Sequence, residues 1–233
     1  MDTVGIVGLG VMGSNCAKKL MESGASVAGY DPYPPAVKRA SEAGVSMCGS
    51  PAELAGKAGV ILMFVPGPAD TEKVVLGEGG IASGAPEGTV VVNMSTVDPG
   101  VNIRMGEALA PKGIDFVDAP VMGSPSGVGS WAFALGGSDE ALAKIRDVLL
   151  VLSGSEEKLF HIGPLGHGNK LKLLNNMMLG AINACPAETM ALAEHMGLSQ
   201  KTLIDVAVAA NARVLSNAYK EIGARIAEGR YDE

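Results

Sequence analysis

Lys172 and Asn176 stand four residues apart in Gly166-His167-Gly168-Asn169-Lys170-Leu171-Lys172-Leu173-Leu174-Asn175-Asn176. On a helix that spacing puts a cation and an amide on one face, a single turn from each other. A lysine amine can give or take a proton, while an amide can hold a carbonyl or hydroxyl without titrating. The pair therefore suits proton transfer to a substrate kept in one orientation. A lysine in water, with a pKa of about 10.4, is a poor base at neutral pH, so this chemistry needs burial or cationic surroundings to lower it. Taken alone, the stretch is read somewhat more readily as a solvated helix start with capping or core asparagines. Leu171, Leu174, Met177 and Met178 supply apolar contacts around it.

A second cluster lies at the other end of the chain. Thr3 to Val7 is an apolar run suited to a buried parallel strand. It leads into Gly8-Leu9-Gly10-Val11-Met12-Gly13 and then a helical pattern from Ser14 to Glu22, which is G-x-G-x-x-G in a strand-turn-helix setting. Gly8 permits the tight turn, Gly10 lets a pyrophosphate approach the backbone, and Gly13 lets the helix pack near the strand, with the helix N-terminus facing the phosphates. The next strand, Ser26 to Tyr30, ends in Asp31, 18 residues after Gly13, where this fold expects an acid to bind a ribose diol. Asp31 would repel a 2′-phosphate, and Pro32 to Pro35 contain no arginine to offset that, so NAD is preferred over NADP. Capping of the following helix is the lesser alternative for Asp31.

The intervening elements must position these groups. Gly59 to Val65, ending at Pro66, and Thr89 to Asn93 read as buried strands, the second followed by Ser95 and Thr96 and a helix from about 100 to 110. Ligands in open α/β sheets lie beyond the carboxyl ends of the strands, which places Val65, Pro66, Ser95 and Thr96 beside the dinucleotide. Capping of the next helix explains Ser95 and Thr96 equally well. Gly113 to Asp118 runs into a loop containing Met122, Gly123, Ser124 and Gly127, whose backbone N–H groups suit an anion or a carbonyl; a simple turn is the alternative. Trp131 to Leu135 and Lys158 to Ile162 complete the sheet.

From Gly166 the pattern is helical only, at roughly 168–196, 199–210 and 212–228. The expected architecture is α/β, a Rossmann-type doubly wound sheet over 1–163 followed by an all-helical domain over 164–233. The first of these helices would span on the order of 40 Å. Its small residues, among them Gly180, Ala181, Ala184 and Ala187, permit close helix approach within the chain or across a dimer. A helical domain of three segments reads as incomplete, suggesting a truncated chain or a swapped partner domain.

Composition narrows the classes. Hydrophobic residues make up 47% and charged residues 18% of 233, and the net charge of −7 argues against a general nucleic-acid binder. Cys16, Cys48 and Cys185 lie far apart, which speaks against a disulfide framework and a zinc cluster and for a reducing cytoplasm. His161, His167 and His195 have no metal-ligand spacing and read as structural, although His167 lies close enough in sequence to Lys172 to face the same cleft. No targeting signal or membrane-length apolar run is visible.

With these motifs assembled, the sequence resembles the β-hydroxyacid dehydrogenase family, which includes 3-hydroxyisobutyrate dehydrogenases and tartronate semialdehyde reductases. Four motifs in order carry the likeness: Gly8 to Gly13; Ser95-Thr96; Asp118-Ala119-Pro120-Val121 with Gly123 and Gly127; and Gly166-x-Gly168-x-x-x-Lys172-x-x-Asn175-Asn176. The resemblance implies Lys172 as general acid/base, Asn176 as the group that orients the substrate, and the loop at Met122 and Gly123 as the carboxylate site. Met122 stands where the family pattern usually has serine, with Ser124 two residues later, which leaves room for another acid group or a larger substrate. The family also continues through further helices beyond position 233.

The expected function is interconversion of a small β-hydroxy acid and its semialdehyde or keto acid with NAD(P), in a homodimer or homotetramer, without a metal, nucleic acid or membrane. Other chemistries fit less well. A 6-phosphogluconate dehydrogenase usually carries histidine where Asn175 stands. An imine reductase usually replaces the helix lysine. A sulfonate-directed aldehyde reductase would want a cation in the substrate loop, and none occurs between Asp118 and Trp131. A non-catalytic NAD-binding sensor or assembly subunit is the alternative from another class.

Overall fold

The computed structural model describes residues 3–210, 225, 228 and 229. Its elements run β1 (Val4–Val7), α1 (Val11–Glu22), β2 (Val27–Tyr30), α2 (Pro34–Glu42), β3 (Ser46–Met47), α3 (Pro51–Ala55), β4 (Val60–Met63), α4 (Pro68–Leu76), α5 (Ile81–Gly84), β5 (Val90–Asn93) and α6 (Pro99–Leu109). They continue through β6 (Asp115–Asp118), β7 (Val121–Met122), β8 (Ala132–Gly136), α7 (Asp139–Ser153), β9 (Leu159–Gly163), α8 (His167–His195) and α9 (Gln200–Ala209).

The strands form one sheet in which β3-β2-β1-β4-β5-β6 are parallel, the order of a dinucleotide-binding fold. Their alternate residues point into two separate cores, as a sheet covered on both faces requires. Ile6, Leu62, Val92 and Val117 pack with Ala17 and Leu20 of α1 and with Ile145 and Leu149 of α7. Val7, Ile61, Val91 and Phe116 pack with Leu54 of α3, Val75 of α4, Ile81 of α5 and Met105 of α6.

Beyond β6 the sheet turns antiparallel. β8 pairs with β6 at Asp118↔Gly136 and with β7 at Val121↔Phe133 and Met122↔Ala132, all in one register. β6 and β7 thus lie in line along one side of β8, interrupted at Ala119-Pro120, where proline has no N–H for a ladder. β9 pairs parallel to the other side of β8 and closes that end.

The chain divides into two compact units, 1–173 and 174–233. The division falls inside α8, later than the change in pattern at Gly163. Within the second unit, α8 ends before Gly197, which takes φ of 74°, a left-handed stop. The hydroxyl of Ser199 accepts from Thr202 N and caps α9, the usual role of a serine just before a helix. The helix expected at 212–228 lies outside the described residues, apart from positions 225 and 228.

Candidate functional site

The turn after β1 holds its glycines for different reasons. Gly8 has φ of +88°, and a Cβ there would lie 2.0 Å from the Phe64 carbonyl oxygen. A Cβ on Gly13 would lie 1.9 Å from the Gly8 carbonyl oxygen. Both are demanded by the fold itself. Gly10 has φ of −66° and ψ of −163°, a backbone any residue can adopt, and a Cβ there would meet nothing within 4 Å. The bare backbone at Gly10 therefore answers no internal constraint; it leaves space beside the uncapped N-terminus of α1, where an anion is favoured. Next to it Val11 is 70% exposed, an apolar side chain at the mouth of the same turn. The residues present fit a dinucleotide.

Asp31 is tied to this turn. One carboxylate oxygen accepts from Leu9 N at 2.6 Å and the other from Tyr33 N at 2.8 Å. The Leu9 side chain is buried in the core. The first turn of α2 starts at Pro34 with Tyr33 as its N-cap, so the carboxylate braces the glycine turn as well as the approach to that helix.

An open cleft of about 440 Å³ lies against the turn, lined by Gly10, Val11, Met12, Gly13, Phe64, Val65, Pro66, Met94, Ser95, Thr96, Val121, Gly123 and Lys172. Ser95 does not cap the next helix: Asp98 does, accepting from Gly100 N at 2.9 Å. The Ser95 hydroxyl instead accepts from Val65 N at 2.8 Å, joining the ends of β4 and β5, while its own N–H donates to Asn93 Oδ1 at 3.1 Å. Asn93 in turn donates from Nδ2 to Asn102 Oδ1 at 2.8 Å, both residues being fully buried. These bonds hold the cleft wall from inside.

Lys172 reaches the cleft from the second turn of α8. Its Nζ donates to the Val121 carbonyl at 2.8 Å, and burial holds its pKa below the ordinary lysine value. The amine is thus moved toward the neutral form that a base requires. A lysine ammonium has three donors, and the Val121 carbonyl takes one.

The helix start that carries Lys172 is anchored from a distance. Asp118, fully buried at the end of β6, accepts from Gly166 N at 2.7 Å on one oxygen. Its other oxygen accepts from Asn169 N at 2.6 Å and from Asn169 Nδ2 at 3.3 Å. Asn169, also fully buried, accepts from Val97 N at 2.9 Å. Burial pushes the Asp118 carboxyl up even though these bonds pull it down. A Cβ on Gly168 would lie 2.2 Å from the Ala134 carbonyl oxygen, so only glycine lets α8 approach β8 this closely. Sequence reasoning missed the Asp118–Asn169 pair; its signal was a polar residue inside the Gly166-to-Lys172 spacing, too weak to interpret alone.

The loop after β7 is braced as well. Trp131 Nε1 donates to the Ser124 carbonyl at 2.7 Å, and Asn15 Nδ2 of α1 donates to the Pro125 carbonyl at 3.0 Å. The Ser124 hydroxyl lies 3.2 Å from that of Ser126.

The cleft brings together Gly10 to Gly13, Val65, Pro66, Ser95, Thr96, Gly123 and Lys172. Gly8, Leu9 and Asp31 stand behind it as the supports just described. Met122, paired with Ala132 in the sheet, and Ser124 do not line it. Asn176 belongs to the second unit. His161 Nε2 sits 3.1 Å from the Gly137 carbonyl oxygen, a structural contact. Among the described residues no group of three or more His, Cys, Asp or Glu side chains could hold a metal, and no helix is long and apolar enough to cross a membrane.

Two family models match successive stretches of the chain. Residues 3–163 match the family model described as the NAD binding domain of 6-phosphogluconate dehydrogenase. Residues 166–233 match that described as NAD-binding of NADP-dependent 3-hydroxyisobutyrate dehydrogenase. The chain is 33% identical over 205 residues to 2-(hydroxymethyl)glutarate dehydrogenase of Eubacterium barkeri, covering 87% of this chain and 67% of that one. It is 34% identical over 206 residues to L-threonate dehydrogenase of Cupriavidus necator, covering 87% and 68%. The chain thus spans about two thirds of the length of these relatives. A crystal structure of 3-hydroxyisobutyrate dehydrogenase from Salmonella typhimurium superposes with a TM-score of 0.86 at 27% identity, covering 99% of this chain and 80% of that one.

Proposed function

The chain belongs to the β-hydroxyacid dehydrogenase family, and on that premise we propose that it interconverts a small β-hydroxy acid and the corresponding semialdehyde or keto acid. The observation that carries the proposal is Lys172: a lysine whose pKa burial lowers, in one cleft with the open backbone of Gly10. The substrates in the relatives' names, 2-(hydroxymethyl)glutarate, L-threonate and 3-hydroxyisobutyrate, share a carboxylate with a hydroxyl on the β carbon.

In this reading Gly10 to Gly13 and the N-terminus of α1 hold the pyrophosphate, and Val65, Pro66, Ser95 and Thr96 border the rest of the dinucleotide. The nicotinamide, when bound, supplies the hydride acceptor or donor. Lys172 Nζ moves the proton: as a neutral amine it takes the hydroxyl proton during oxidation, and as an ammonium it returns one to the oxygen during reduction. The Val121 carbonyl holds one of its N–H bonds and so fixes the direction of the others. Gly123 offers a backbone N–H to the acid group. Met122, lacking a hydroxyl, leaves that task to the backbone and Ser124, and Asn176, a turn further along α8, orients the substrate. Asp31 favours NAD, because its carboxylate suits a ribose diol and repels a 2′-phosphate. Assembly as a homodimer or homotetramer, and a cytoplasmic setting that keeps Cys16, Cys48 and Cys185 as free thiols, complete the proposal.

The test is nicotinamide absorbance with NAD and NADP against 3-hydroxyisobutyrate, L-threonate, 2-(hydroxymethyl)glutarate and L-serine, and with NADH and NADPH against the matching carbonyl compounds, for the wild type beside Lys172→Ala. Turnover that collapses in the variant while dinucleotide binding persists supports the proposal. Undiminished turnover in Lys172→Ala overturns the role of the lysine. Binding without turnover across the panel favours the non-catalytic dinucleotide-binding reading, which Met122 motivates.

A further inference from the structure

Most helices here whose first turn is capped by a side chain use a residue at the helix start. Ser50 caps α3, Asp98 caps α6, Ser138 caps α7 and Ser199 caps α9. α8 is different. The amide of Gly166, just before it, and that of Asn169 in its first turn donate to Asp118, 48 and 51 residues earlier in the chain. A local Ser or Thr would satisfy those amides without burying a charge, whereas a fully buried carboxylate carries a desolvation cost. What a remote acceptor adds is register: it ties the helix to one point on the sheet.

The tie has three points, all around Lys172. Asp118 grips Gly166, just before the helix, and Asn169, three residues before the lysine on it. The Val121 carbonyl, three residues beyond Asp118 on the same segment, grips the lysine amine itself. Asn169 Oδ1 holds Val97 N, next to Ser95 and Thr96 of the cleft wall. The close approach at Gly168, whose Cβ would also lie 2.8 Å from the Asp118 carbonyl oxygen and 3.0 Å from its Oδ2, removes the slack that would let the helix slide.

We propose that Asp118 and Asn169 are positioning residues for Lys172, locking the helix start to the end of β6 and to the loop after β5 so that the amine is held half-buried at a fixed place in the cleft. The inference rests on the proposed role of Lys172, but it is tested on the protein without substrate.

The experiment is competitive acetylation with acetic anhydride across a pH series, read by peptide mass spectrometry, on the wild type, Asn169→Ser and Asp118→Asn, with NADH binding followed by fluorescence. In the wild type Lys172 is expected to titrate below a free lysine side chain, about 10.4. In both variants the midpoint is expected to rise toward that value while NADH affinity stays within about twofold, because the pyrophosphate turn is untouched. Where a substrate of the panel is turned over, kcat should fall by up to about 10²-fold, the effect of a displacement near 1 Å, with the pH midpoint of oxidation moving upward. A cap that only stabilised the helix would lower Tm and leave the Lys172 midpoint in place, and that result in either folded variant overturns the inference. Should neither variant fold, native-state hydrogen exchange on the wild type decides. Protection of the Gly166 and Asn169 amides equal to that of the core strands supports the lock; exchange as fast as at a frayed helix end overturns it. Absence of turnover, or full activity in Lys172→Ala, would defeat the proposed function without moving these readouts.

Discussion

Gly10→Ala separates a constraint of the fold from a constraint of the ligand. The backbone at Gly10 is open to alanine, and the added methyl meets nothing within 4 Å. Replacing glycine where the conformation is compatible removes unfolded-state entropy worth about 0.4–1 kcal/mol. Alanine at an N-cap position loses a comparable amount relative to glycine. The two nearly cancel, so stability should stay within about 1 kcal/mol of wild type, or ~2–4 °C in Tm for a chain of this size. Bound pyrophosphate changes the balance. A methyl pushed into a close backbone approach costs about 1–3 kcal/mol, which is roughly 5- to 150-fold in the Kd for NADH.

Gly13→Ala is the comparison. Its Cβ would sit 1.9 Å from the Gly8 carbonyl oxygen, against an ordinary carbon–oxygen contact of about 3.3 Å. The two backbone segments must separate by more than an ångström, and Tm should fall by at least ~6 °C. The assay is a thermal melt for each variant and a fluorescence titration with NADH. A Gly10→Ala protein that melts as early as Gly13→Ala, or one that binds NADH as tightly as the wild type, refutes the reasoning.

Three further outcomes are expected. Lys172→Met should lower kcat by about 10²- to 10⁴-fold. It should also raise Tm at neutral pH: the lysine pKa is lowered in the folded state, so the folded protein binds fewer protons than the unfolded chain between that pKa and about 10.4, and stability rises with pH across this window. The gap in Tm between variant and wild type should accordingly shrink as pH climbs toward 10; a gap that does not change with pH contradicts this. Gly168→Ala, whose Cβ would lie 2.2 Å from the Ala134 carbonyl oxygen, should displace the start of α8 by about 1 Å and cost roughly 10²-fold in kcat with little change in NADH affinity. Asp31→Asn should weaken NADH binding and narrow any preference over NADPH, measured by parallel titrations; an unchanged ratio would remove Asp31 as the discriminating group.

What could be read ahead of the structure was local. The turn from Gly8 to Gly13 sits between an apolar run and a helical pattern, and its distance to Asp31 is set by one βαβ unit. The stop at Gly197 and the cap at Ser199 are likewise written in adjacent residues. The two-residue strands β3 and β7 are too short to show a period. Position alone could not decide between two roles for Ser95, because Asp98 stands three residues further on and also suits a cap. The long-range bonds were the least visible: Asp118 and Asn169 are 51 residues apart, and neither the 2.0 nor the 3.6 period connects them. Asp118 reads from sequence as part of a ligand loop, yet its side chain is fully buried and spent on the helix start.

The same distinction bears on how much a glycine-rich motif says about a ligand. In the loop after β7, a Cβ on Gly123 would lie 2.6 Å from Trp131 Cδ1, and Trp131 is itself 1% exposed and bonded to the Ser124 carbonyl. The indole, packed edge-on against Phe133, accounts for that glycine without any substrate. A substitution there would disturb the loop whether or not the loop binds an acid, so a loss of activity in Gly123→Ala would not identify a carboxylate site. Gly10 is the opposite case, since the fold has no use for its missing side chain. The ligand content of the two motifs therefore differs even though both are written with the same residue, and the loop's part in binding an acid is better probed through Met122 and Ser124, which have side chains to change, than through the glycine between them.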